Sequence, residues 1–127
     1  MNIRKSARIM AVVLLSLSLL ISSSSRAEEE PRTSYKYIVV YGTGDLEVGD
    51  VVTFFDPEGT LCGKWVVRDK GAYGLMAVYG DDPTTENVDE GAREGEVLTI
   101  KVNGREVIAS GSPPVFEREG ETRRVDL

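Results

Sequence analysis

The chain has 127 residues, with 15 Lys and Arg, 21 Asp and Glu and no histidine, for a net charge of −6. Without histidine, zinc sites built from cysteine and histidine and the ordinary Ser-His-Asp and Cys-His nucleophilic arrangements are excluded. The acidity opposes binding to nucleic acid or anionic lipid, and a lone cysteine, Cys62, excludes an internal disulfide framework.

Residues 1–27 read as an export signal. Arg4, Lys5 and Arg8 give a basic start, an apolar run extends from Ile9 to Ile21, and 25-SRA-27 offers small residues before a cut after Ala27. The run is shorter than the ~20 residues of a membrane span, so membrane association is expected only if the signal stays uncleaved. Cleavage removes four of the 15 basic residues and no acid, which leaves a net charge of −10. The expected product is a charged flexible leader over 28–34 and one domain over 35–127, located in the periplasm or outside the cell.

Short β-type segments then alternate with turn residues. The expected strands are 35–42, 50–55, 60–67, 73–79, 96–102, 105–109 and about 122–127. 56-DPEG-59 supplies a turn between the second and third. Leu98, Ile100 and Val102 alternate with Thr99 and Lys101, as a half-buried strand requires. Asn103 and Gly104 form the two-residue turn of a hairpin. No segment carries a helical stripe of useful length. Seven short strands in about 100 residues predict an all-β fold, an antiparallel β-sandwich. Tyr37, Phe54, Trp65, Tyr73, Leu75, Leu98 and Ile100 are its expected core, and Cys62 is expected to be buried rather than bridged to another chain.

The most unusual stretch is 79-YGDDPTTENVDEGAREGE-96, with seven carboxylates in eighteen residues. Asp81, Asp82, Glu86, Asp89 and Glu90 are hard oxygen donors of the type calcium accepts. Counted from Asp82, however, the sixth and twelfth positions are Asn87 and Arg93, which is not the EF-hand pattern. The competing reading is a long loop that hydrogen-bonds its own acids, turned by Pro83, Gly91 and Gly95. Tyr35, Tyr41, Trp65, Tyr79 and Phe116 are the rings available to a carbohydrate. The segment 36-KYIVVYG-42 is a candidate for adding a strand to a partner's sheet.

The runs 41-YGTG-44, 56-DPEGTLCGKW-65, 69-DKGAYG-74, 79-YGDDPTTENVDEGAREGE-96 and 102-VNG-104 resemble small modules of exported bacterial proteins. These are similar to the carboxypeptidase-regulatory-like and transthyretin-like β-sandwiches, across most of 35–127. The most specific pieces are the turn carrying Asp69, Gly71 and Tyr73 and the start at Tyr79. Gly71 suits a positive φ, and Tyr73 is expected to bury its ring while its hydroxyl bonds nearby backbone. The segment 43-TGDLEVGDVV-52 departs from the usual pattern and leaves the register of the first hairpin open. The resemblance implies a non-catalytic binding or structural module whose partner is another exported or cell-surface protein, with a calcium-stabilised carbohydrate-binding module as the alternative.

Overall fold

The computed structural model describes residues 29–127 apart from Glu86 and Glu119, so the expected signal at 1–27 lies outside the described residues. Seven strands follow in order: β1 (Tyr37–Thr43), β2 (Val51–Phe55), β3 (Leu61–Val66), β4 (Ala72–Tyr79), β5 (Thr99–Val102), β6 (Arg105–Val107) and β7 (Thr122–Arg124). They form a three-stranded sheet ordered β4-β1-β7 and a four-stranded sheet ordered β3-β2-β5-β6. The fold is all-β and sandwich-like.

Period-two alternation explains which faces meet. Ile38 and Val40 of β1, Met76 and Val78 of β4, Val52 and Phe54 of β2 and Ile100 of β5 are buried together, with Leu46, Cys62, Val67, Tyr73, Ala92, Leu98, Phe116 and Val125 completing the cluster. Gly63 of β3 lies where a Cβ would come within 3.0 Å of the Ala77 carbonyl oxygen of β4. A glycine there lets the edges of the two sheets approach closely.

Four ladders are antiparallel, but β7 runs parallel to β1, with Val39 opposite Thr122 and Tyr41 opposite Arg124. The expectation of a purely antiparallel sandwich is corrected at this strand. β1 is the middle strand of its sheet, bonded on both sides. It therefore has no edge to offer a partner, and strand donation by 36–42 is ruled out in this fold.

Two expected core residues, Tyr37 and Leu75, lie outside the core, and a third, Trp65, packs against it only partly buried. Tyr37 is 43% exposed, Leu75 is 64% exposed, and Trp65 is half-buried with the Arg68 guanidinium 5.1 Å from its ring centroid. The β1–β4 ladder shifts register between Val40 and Gly42, where Met76 and Tyr73 are the partners. That bulge inverts the alternation of β4, so Tyr73 points inward while Leu75 points out. The Tyr73 hydroxyl donates to the Val125 carbonyl and ties the end of the chain to the core.

Local turns close as their residues dictate. Asn103 and Gly104 have φ of 51° and 79°, the left-handed pair of a tight hairpin between β5 and β6. Asn103 also accepts from the Val51 amide at 2.9 Å and donates to Asp50 at 3.0 Å, tying the hairpin to β2. Gly71 has φ of 82°, and its amide donates to the Leu46 carbonyl. The leader touches β3: Lys64 Nζ donates to the Glu29 carbonyl and the Glu30 carboxylate, both at 2.9 Å.

Cys62 is the extra residue where β2 and β3 slip, between the pairs Phe54–Gly63 and Phe55–Leu61. It is buried, and its thiol donates to the Thr60 carbonyl at 3.3 Å. Burial pushes its pKa up to about 12, with the charges of Asp56 and Asp89 adding to the effect. Thiolate is the reactive form. Native protein at pH 8 should therefore fail to react with a thiol reagent that labels the urea-unfolded chain within minutes. Equal labelling rates in the two states would show that the thiol is accessible.

Candidate functional site

The acidic stretch leaves β4 at Tyr79 and is stitched back onto it. The Asp81 amide donates to the Ala92 carbonyl at 2.8 Å and the Ala92 amide to the Tyr79 carbonyl at 3.1 Å. Gly91 sits so close to the Tyr79 carbonyl that any Cβ would overlap it. Ala92 and Phe116 are buried beneath this crossing.

Within the loop the carboxylates accept from the loop's own donors. Asp82 Oδ1 takes the Thr84 amide at 2.8 Å and the Thr84 hydroxyl at 2.6 Å. Glu90 takes the Thr85 hydroxyl at 2.6 Å and the Asp82 amide at 3.3 Å. These bonds, the side-chain hydroxyl first in each case, hold both carboxyls below their ordinary pKa. Asp81 pairs with Arg93 at 3.5 Å, and Asp89 accepts from the Thr60 hydroxyl at 2.7 Å and the Gly91 amide at 3.1 Å. Glu86 lies outside the described residues. The stretch is thus an internally bonded loop, and it reaches across to β3 through Asp89 and Thr60.

Among the described residues, the carboxylates that converge are a different set. One oxygen each of Asp56, Glu58 and Glu96 lies within 4.8 Å of the others. Asp56 and Glu58 come from the turn between β2 and β3, and Glu96 from the end of the acidic stretch. Asp56 is 2% exposed. Its Oδ1 accepts the Thr60 amide at 2.7 Å, whereas its Oδ2 is buried without a hydrogen-bond partner. Burial raises the Asp56 pKa, and the negative charges of Asp89 and Glu58 raise it further. In sequence, 56-DPEG-59 reads as a turn and nothing more, because Glu96 joins it from 40 positions away.

A second assembly is apolar and aromatic. The outward positions of β1 and β4 place Tyr37 opposite Tyr79, Val39 opposite Ala77, and Tyr41 beside Leu75 at the bulge. The Tyr37 and Tyr79 rings stand edge to face, 6.4 Å apart. Thr122 and Arg124 of β7 continue the same rows, and Arg124 pairs with Asp126 at 3.1 Å. Of the rings proposed for carbohydrate, Tyr41 and Tyr79 belong to this face, and Tyr35 lies exposed just before β1. Phe116 is buried and Trp65 is half-covered on the other sheet. Strict alternation over 37–41 carried the signal for the outward tyrosines of β1, which the assignment of Tyr37 to the core obscured.

Two of the four edge strands, β6 and β7, are three residues long and carry Arg105, Glu106, Arg123 and Arg124, while the other two, β3 and β4, approach each other at Gly63. Short, charged edges discourage strand addition at β6 and β7. No family model matches the chain, and no curated protein or solved structure is significantly similar to it.

Proposed function

We propose that the protein is an exported, non-catalytic β-sandwich module that docks another exported or cell-surface protein on the outer face of its three-stranded sheet. The observation that carries this reading is the grouping of Tyr37, Tyr41 and Tyr79 with Val39, Leu75 and Ala77 on one sheet face, with Leu75 64% exposed. Tyrosines beside aliphatic side chains are the composition of protein-interface cores, where a ring supplies a large contact area at little entropic cost. A carbohydrate platform needs rings and polar groups but gains little from Leu75 and Val39, which favours a protein. Export rests on the pattern of residues 1–27, and the kinship with carboxypeptidase-regulatory-like and transthyretin-like modules rests on the turn and loop motifs.

The test places a photo-crosslinking residue at position 41 and, separately, at position 105 on β6. A partner protein joined from 41 and not from 105 is expected. Tyr37→Ser and Leu75→Ser should each weaken its binding about tenfold, the loss of ~1.4 kcal/mol that a central interface residue carries. Equal capture from both positions, or binding unchanged in both variants, would defeat the proposal. Recovery of a glycan in place of a protein would turn the same face into a carbohydrate site.

A further inference from the structure

We propose that Asp56, Glu58 and Glu96 form a calcium site that ties the β2–β3 turn to the end of the acidic stretch. This is independent of the docking face, which lies on the other sheet. Three carboxylate oxygens meet within 4.8 Å. Ligands held at ~2.3–2.6 Å from a calcium ion are at most about 5 Å apart, so one ion reaches all three. The donors are all hard oxygens, which select calcium-type cations over zinc or copper.

A cluster of acids alone would mean little, since solvated carboxylates need no ion. Asp56 is different because it is 2% exposed and its Oδ2 has no donor. The Thr60 amide satisfies only Oδ1. The charges that act on Asp56 are those of Asp89 and Glu58, both negative. A buried carboxylate with an unused oxygen, set among other carboxylates, carries an electrostatic cost that a cation removes. Glu96 is already oriented, because its Oε1 accepts the Arg93 amide at 2.6 Å. Glu58 is exposed and leaves one side of the ion open to water.

The cluster therefore makes opposite demands with and without the ion, and that gives a signature no ordinary surface carboxylate shows. Thermal unfolding of the protein in EDTA should shift upward by several degrees in millimolar calcium, and not in sodium chloride of matched ionic strength. Asp56→Asn should raise the midpoint in EDTA, since it removes the buried charge and keeps the Thr60 bond, and should abolish the calcium shift. Glu58→Gln, at an exposed position that leaves folding intact, should weaken calcium affinity about tenfold by titration calorimetry. Asp82→Ala, in the loop, should leave that affinity unchanged. The site is disproved if the EDTA and calcium curves overlay, if sodium chloride reproduces the shift, or if Glu58→Gln binds as tightly as the parent. Loss of affinity in Asp82→Ala alone would move the ion to the loop and overturn the assignment equally.

Discussion

Replacing Phe54 by alanine should lower the free energy of unfolding by about 3–5 kcal/mol. Phe54 is fully buried in the middle of β2, opposite Gly63 on one side and Ile100 on the other. Its ring packs 6.4 Å from that of Tyr73, which spans the space between the sheets. Gly63 has no side chain with which to refill the space, and β-strand backbones on both sides hold their spacing, so the cavity should stay largely open. A domain of this size holds only about 5–15 kcal/mol in total. The midpoint should therefore fall by at least about 12 °C. Leu75→Ala is the natural comparison. Its side chain is 64% exposed, and its removal should change stability by no more than about 0.5 kcal/mol. If the two substitutions cost the same in a urea titration, the bulge in β4 has been placed wrongly.

The second large effect is expected at Gly42. A Cβ there would overlap the Val125 carbonyl and come within 3.0 Å of the Tyr73 ring. The Val125 carbonyl is also the acceptor for the Tyr73 hydroxyl. Gly42→Ala must therefore push the chain end away from β1 and break a buried hydrogen bond in the same movement. The neighbouring bonds, from the Val125 amide to Tyr41 at 2.8 Å and from the Leu127 amide to Thr43 at 2.7 Å, would loosen with it. The expected loss is about 3 kcal/mol, the upper part of the range for overpacking. Tyr73→Phe should cost about 1–3 kcal/mol, because it leaves the carbonyl buried and unpaired. Hydrogen exchange at the Val125 and Leu127 amides should accelerate in both variants. A Gly42→Ala protein within 0.5 kcal/mol of the parent would show that the chain end does not seat against β1.

The reasons these residues matter differ in how far the sequence displays them. All seven strand segments were legible because β-branched and aromatic runs end at glycine, proline or the Asn103-Gly104 pair, and such punctuation is local. The inward faces of β2 and β5 were legible for the same reason, since Phe54 and Ile100 keep strict alternation. Leu75 was misplaced because a bulge adds one residue between Tyr73 and Met76, and alternation cannot announce its own interruption. Tyr37 was misplaced because an aromatic in a strand suits either face. The Asp56 cluster and the parallel pairing of β7 were hidden more deeply. Each joins residues far apart in the chain, and only the sheet order brings them together. The acidic stretch was legible as composition, while its partners Thr60 and Arg93 depend on the folded path.

The pairing of β1 with β7 also bears on the order in which the molecule can be made. β1 gains its second neighbour only when residues 121–125 arrive, through contacts such as the Val39 amide to the Glu121 carbonyl at 2.9 Å. A folding chain thus carries an unpaired β1 edge until residues 121–125 pair with it, however much of the sandwich has already formed. Unpaired edges of that kind attract other strands, and pairings so distant in sequence form slowly. The parallel β1–β7 pairing is thus the contact that closes this sheet, and a holding chaperone has the interval before it forms in which to act.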